Sequence, residues 1–152
     1  MKKSRLLWPL LYLVMIVLSS CTMYPNEPAN TTTEHLCDQE YAVSLGRPPQ
    51  NSTVSIDEPP PLFSWAVLAG APTRFVVEIA DSNYNIILSE TIEGCITYLP
   101  SEDDWQTVLE YYFTKPFPQT VYWRIRIDHL CCDRSYYSGW SYFMIESHHS
   151  IS

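Results

Sequence analysis

From Pro59 onward, apolar and polar residues alternate in short runs broken by turn formers. Leu62-Phe63-Ser64-Trp65-Ala66-Val67 stops at Gly70-Ala71-Pro72, and Arg74-Phe75-Val76-Val77-Glu78-Ile79-Ala80 stops at Asp81-Ser82-Asn83. Ile86-Ile87-Leu88-Ser89-Glu90-Thr91, the short Cys95-Ile96-Thr97-Tyr98 before Pro100, residues 120–128 and residues 140–146 complete the series. Successive side chains of a strand point to opposite faces, so period-two runs rich in β-branched and aromatic residues predict strands with one buried face. Several such runs at this spacing predict an all-β antiparallel sandwich or barrel. The expected packed interior is Trp65, Phe75, Val77, Ile79, Tyr122, Ile125 and Ile127.

One segment departs from period two. Ser101-Glu102-Asp103-Asp104 has an N-cap residue followed by acids, and Trp105, Val108, Leu109 and Tyr112 then recur at i, i+3, i+4 and i+7. This predicts a short helical insertion that ends before Lys115-Pro116. Asp103 and Asp104 look like paired catalytic carboxylates, but the partial positive charge at a helix N-terminus accounts for acids in a first turn without any chemistry.

Upstream, residues 21–51 are rich in Pro, Asn, Thr and Glu and poor in large apolar groups. Such a stretch buries too little apolar surface to offset its ordering entropy, so it reads as a partly disordered tether ahead of a sandwich over residues 52–147, with a polar tail at 148–152. One part resists that reading: Tyr41-Ala42-Val43-Ser44-Leu45 has some apolar alternation, and Cys37 beside it is placed to pin the segment to the domain.

The first twenty residues have another logic. Met1-Lys2-Lys3-Ser4-Arg5 is basic, Leu6 to Leu18 is almost wholly apolar, and Ser19-Ser20 precede Cys21. Basic start, apolar centre and small residues before a cut describe a secretory signal peptide. A helix over the apolar run would rise only about 20 Å, short of the roughly 30 Å hydrocarbon core, which argues against a transmembrane anchor. Leu18-Ser19-Ser20-Cys21 resembles the bacterial lipobox, in which the chain is cut just before a cysteine that becomes lipid-modified. That resemblance implies that Cys21 is the lipidated first residue of the mature protein and that its membrane partner is reached through the lipid. It places the chain at a bacterial cell envelope, and, with Thr22 rather than Asp following the cysteine, at the outer membrane if the host is Gram-negative.

Of 9 basic and 17 acidic residues, three basic ones (Lys2, Lys3, Arg5) leave with the signal peptide, so the mature net charge falls from −8 to −11. Nucleic acid and anionic lipid faces are therefore poor partners.

Pro60-Pro61-Leu62-Phe63-Ser64-Trp65, Arg74-Phe75-Val76-Val77-Glu78-Ile79-Ala80-Asp81, Val121-Tyr122-Trp123-Arg124-Ile125-Arg126-Ile127 and Ser138-Gly139-Trp140-Ser141 resemble strands B, C, F and G of an immunoglobulin-like, fibronectin type III-like domain of the kind found in bacterial secreted proteins. The resemblance implies core and corner roles for Trp65 and Tyr122. It departs from the family at the insertion of residues 101–117, where Leu109 or Phe117 stands in for the usual buried leucine, and in its cysteines.

Cys37, Cys95, Cys131 and Cys132 in an exported chain read as two disulfides; a bond between the adjacent pair is strained, so Cys37 and Cys95 are each expected to take one of Cys131 and Cys132. The alternative is a metal-handling lipoprotein, because His35-Leu36-Cys37 and His129-Leu130-Cys131 repeat a His-x-Cys spacing. That spacing is tighter than a tetrahedral site normally shows, and no metal or other cofactor is expected.

No nucleophile-and-base signature is present, so the chain is not expected to be an enzyme. Aromatic residues cluster at Tyr111, Tyr112, Phe113 and Phe117 and again at Tyr136, Tyr137 and Trp140. Tyr112, Tyr136 and Tyr137 are the candidate binding surface of a non-catalytic interaction module whose partner is an envelope protein or a glycan. A carbohydrate-binding accessory domain, related to those of polysaccharide-degrading enzymes, is the second reading; an exposed row of these tyrosines would favour it.

Overall fold

In the computed structural model, residues 39–129 and 133–147 are described. Nine strands and one helix follow in order: β1 (Ala42–Arg47), β2 (Ser52–Ser55), β3 (Phe63–Ala69), β4 (Arg74–Ala80), β5 (Ile86–Glu93), β6 (Thr97–Tyr98), α1 (Glu102–Phe113), β7 (Gln119–Asp128), β8 (Ser135–Tyr137) and β9 (Ser141–Glu146). They form a mostly β, two-sheet sandwich. The smaller sheet has the order β1-β3-β6, and the larger has the order β2-β9-β7-β4-β5 with β8 also on β7. All neighbours are antiparallel except β2 and β9, which run parallel.

The predicted alternation holds in β7, where Val121, Trp123, Ile125 and Ile127 are buried between the sheets and the residues between them are half-buried on the outer face. Trp65, Phe75, Val77 and Ile79 join them in one core. Tyr122 does not. It lies on the outer face, with its ring 5.0 Å from Tyr84 and 5.7 Å from Tyr142, and Trp123 takes the inward place. A one-residue difference in a strand is a change of face, so the interior place expected of Tyr122 belongs to Trp123.

The tether boundary also moves. Val43 and Leu45 stand opposite Val67 and Trp65 and pack against the core, so the sandwich begins upstream of residue 52. The alternation at 41–45 was the better guide there than the polar composition around it.

Helix α1 forms where its period predicts it. Ser101 caps the helix: its Oγ accepts from the Asp104 amide at 3.1 Å, and the Asp104 carboxylate accepts from the Ser101 amide at 3.3 Å. Three strands cannot cover the inner face of the wider sheet. Trp105, Val108, Leu109 and Tyr112 fill the gap as part of the common core, with α1 packed against β5. Leu109 is buried and Phe117 is half-buried against the same core.

β8 and β9 are one strand interrupted by a bulge. Arg126 stands opposite Tyr137 and Trp123 opposite Ser141, leaving two residues of β7 facing three of its neighbour, Ser138, Gly139 and Trp140. Ser138 ties the bulge to β7: its amide donates to the Ile125 carbonyl at 2.9 Å, and the Ile125 amide donates to Ser138 Oγ at 2.9 Å.

Candidate functional site

The bulge builds the most organised polar surface of the described residues. In an unbroken strand, Tyr137 and Trp140 are three positions apart and would face opposite sides. The extra residue returns Trp140 to the outer face, and the two rings come to flank Arg124. The guanidinium carbon lies 4.2 Å from the Tyr137 ring centre and 4.3 Å from that of Trp140. Tyr84 continues the row, its ring 5.2 Å from Trp140.

Beneath this row the charges are paired within the face. Glu78 on β4 is 3 % exposed and accepts from Arg124 Nε at 2.7 Å and from Arg126 at 2.6 Å. Arg126 Nε lies 2.9 Å from Asp128. A buried carboxylate is costly unless it is paired, and two guanidiniums lying over Glu78 meet that condition while keeping part of their own surface in water.

Tyr84 sits at φ 63°, a left-handed conformation that bulky side chains rarely adopt and that costs on the order of 1 to 2 kcal/mol. The turn that holds it is organised by Asp81, a buried carboxylate. Asp81 accepts from the Asn83 amide at 2.8 Å, the Asn85 amide at 2.9 Å, the Asn85 side chain at 3.1 Å and the Tyr111 hydroxyl at 2.5 Å. Burial alone would raise the Asp81 pKa, but the hydrogen bonds from Tyr111, Asn85 and Asn83 outweigh it and hold the carboxyl well below the usual carboxylate range. Asp81 is thus a fixed anion that ties the β4–β5 turn to α1.

The sequence-predicted surface is not brought together. Tyr112 is 1 % exposed; its hydroxyl donates within the fold towards the carbonyls of Thr120 at 3.2 Å and Ala80 at 3.5 Å. Burial and the Asp81 charge push its pKa up. It is a core residue, because α1 turns its apolar stripe inward to cover the wider sheet. Tyr136 and Tyr137 are neighbours in a strand and face opposite ways. Tyr136 stands opposite Ile127 and packs against the core beside Tyr41, while Tyr137 is outward and 52 % exposed. Of the three, only Tyr137 belongs to the outer face. Tyr84, Glu78 and Arg124 were not singled out from the sequence, although Tyr122-x-Arg124-x-Arg126-x-Asp128 carries a period-two signal of an organised polar face.

Of the helix-start acids, Asp103 is exposed and Asp104 is engaged in the cap. Asp104 accepts from Ser101 and from the Tyr98 hydroxyl at 3.1 Å; the Ser101 hydrogen bond leads in holding its pKa low, burial opposes it, and Tyr98 adds to the lowering. Cys95 is disulfide-bonded. Cys21, Cys37, Cys131, Cys132 and His35 lie outside the described residues, as do the signal-peptide and lipobox positions. His129 is described, and its ring lies 5.6 Å from Tyr41. Among the described residues no group of three His, Cys, Asp or Glu side chains is placed to hold a metal ion, and no helix is long and apolar enough to cross a membrane.

No family model matches the chain, and no curated protein does. Among solved structures, the crystal structure of an engineered protein is similar over 70 % of this chain at 10 % identity, with a TM-score of 0.43. The similarity spans about a fifth of that chain, 20 % of its length.

Proposed function

We propose that this chain is a lipid-anchored, non-catalytic interaction module of the bacterial cell envelope, carried on a fibronectin type III-like sandwich. The observation that carries the interaction reading is the outer face of the larger sheet. There the Tyr84, Trp140, Arg124 and Tyr137 side chains form a continuous row held in place by a bulge, a buried ion-pair cluster and a costly backbone conformation. Strain retained at a surface residue points to a use for that residue. Three of the carboxylates are held by contacts within the fold: Glu78 under two arginines, Asp81 in its turn and Asp104 in the helix cap.

Support for the finer fold reading comes from neighbour order. The segments that resemble strands C, F and G occupy β4, β7 and β9, and these are adjacent in that order, as C, F and G are in an immunoglobulin-like sandwich. Lipid anchoring rests on Leu18-Ser19-Ser20-Cys21. Cys21→Ala is expected to move the protein from the membrane fraction to the soluble exported fraction; retention after a carbonate wash would overturn the anchor. For the cysteines, the proposed pairing joins Cys37 and Cys95 each to one of Cys131 and Cys132, and alkylation without reduction should leave all four unmodified.

Site-specific photo-crosslinking in living cells tests the interaction reading. Crosslinkers at positions 84 and 137 should give products of raised mass, with glycan or protein, while one at Ala66 on the smaller sheet should give none. Equal yields from both sheets would overturn it.

A further inference from the structure

Strand β5 ends the larger sheet: β4 lies on one side of it, and among the described residues no strand lies on the other. The Gly94 amide donates to the Thr73 carbonyl at 2.7 Å, so these opposed residues form a hydrogen-bonded pair. Bonded and non-bonded pairs alternate along an antiparallel ladder. Phe75 with Ile92, Val77 with Glu90 and Ile79 with Leu88 are therefore bonded pairs, and Ser89, Thr91 and Glu93 turn their N–H and C=O groups away from β4. All three residues are exposed. Such an edge is a template for one more strand, and proteins usually blunt it with Pro, Lys or a bulge. β5 runs for 8 residues without Pro or Lys, and its register shift falls at the Ile86 end.

Charge decides what can pair there. From Phe75 to Thr114 the chain has eight acidic residues and no Lys, Arg or His. Glu78 and Asp81 are engaged elsewhere, which leaves Glu90, Glu93, Glu102, Asp103, Asp104 and Glu110 on β5 and on α1, the helix packed against it. Burial, Asp104 and then Glu90 push the Tyr98 pKa up, so the two carboxylates share one neighbourhood. Arg74, opposite Glu93, and Lys115, over the Tyr111 ring, are the cations at either end of the stretch. A second copy would bring the same acids against this edge, and like charges across a ladder are destabilising. Residues 22–38 of the same chain add Glu27, Glu34 and Asp38 and no Lys or Arg. The complementary strand is cationic.

We infer that the β5 edge, from Ser89 to Glu93, is a docking site for an extended, Lys- or Arg-bearing segment of a partner protein, which joins the larger sheet as a further strand. Main-chain hydrogen bonds to Ser89, Thr91 and Glu93 supply affinity, and the acids of β5 and α1 select the charge of the incoming strand. The edge is a separate surface from the outer-face row, and crosslinks at positions 84 and 137 bear on that row alone.

The probe is a short peptide of alternating Lys and Val, added to the full-length Cys21→Ala protein and followed by calorimetry and amide hydrogen exchange. The Ser89, Thr91 and Glu93 amides should exchange rapidly without the peptide and about tenfold or more slowly with it. The same peptide methylated on every backbone nitrogen keeps the charge, loses the donors and should bind much more weakly. Thr91→Pro removes one outward donor at an edge position that tolerates proline, and should weaken binding about tenfold with the fold intact. Glu90→Gln combined with Glu93→Gln leaves the backbone untouched, and should also weaken binding and flatten its salt dependence. Unchanged exchange at the three amides would overturn the inference, and so would equal binding of the methylated peptide, which would make the attraction one of charge alone. Amides already protected without peptide would show the chain's own N-terminal segment on the edge, and a dimer that Thr91→Pro dissolves would show a second copy there; either result ends the proposal.

Discussion

Strand β7 carries Val121, Trp123, Ile125 and Ile127 on one face and Tyr122, Arg124, Arg126 and Asp128 on the other, and different forces hold the two faces in place. On the inner face each side chain is fully or almost fully buried among apolar neighbours, and the stabilisation scales with area removed from water. On the outer face the backbone is covered by long side chains lying flat: two guanidiniums over Glu78 and two rings against Arg124. The inner face tolerates changes of identity that keep its volume. The outer face depends on which partner is beside which.

The comparison is broken most sharply from the inside. Trp123→Ala should cost about 3 to 5 kcal/mol, read as a shift of the urea midpoint at unchanged slope. The Trp123 indole N–H is buried with no acceptor among the described residues, so Trp123→Phe, which sheds that donor and keeps a ring, should cost clearly less. A Phe variant as damaging as Ala would mean that the N–H, not the volume, matters there.

On the outer face, Glu78→Ala removes the acceptor shared by Arg124 and Arg126 and should cost about 1.5 to 3 kcal/mol, below the Trp123→Ala loss because both arginines can return to water. Arg126→Ala should cost less again, since Arg124 still satisfies one carboxylate oxygen. Urea unfolding of the two variants side by side checks the order.

Asp81 is the link between the two regions. Asp81→Ala leaves the Asn83 and Asn85 amides and the Tyr111 hydroxyl without their acceptor and should cost about 1 to 2 kcal/mol near neutral pH. The folded-state pKa of Asp81 lies below its unfolded value, so its contribution is present above the ordinary carboxylate range, about pH 4, and is lost as pH falls through the folded value. Thermal melts from pH 7 to pH 2 should therefore show wild type and Asp81→Ala converging in acid. The smallest effect belongs to Tyr112→Phe, which keeps the buried ring and removes one hydroxyl with long hydrogen bonds; about 1 kcal/mol or less is expected in the same assay.

Much of this was legible in the chain. The runs at 62–67, 74–80, 86–91 and 120–128 fall on strands, and Trp105, Val108, Leu109 and Tyr112 fall on the inward stripe of α1. Period two and period 3.6 are local rules, and burial of one face enforces them. Where the local signal was thin, composition misled: the polar surroundings of Val43 and Leu45 concealed an edge strand, and the expected interior included Tyr122, which lies on the outer face.

What the sequence by itself determined is the longer strands from β3 onward, most of their inward residues and the capped helix, because each follows from spacing within a few neighbours. Tertiary structure decided that Tyr112 is core, because only the unequal width of the two sheets makes α1 a filler. It also decided that Tyr137 and Trp140 share a face with Arg124 and Tyr84. A single extra residue opposite β7 reverses the parity of everything after it, and whether a strand takes up that residue as a bulge is settled by its partner across the ladder, not by its own alternation.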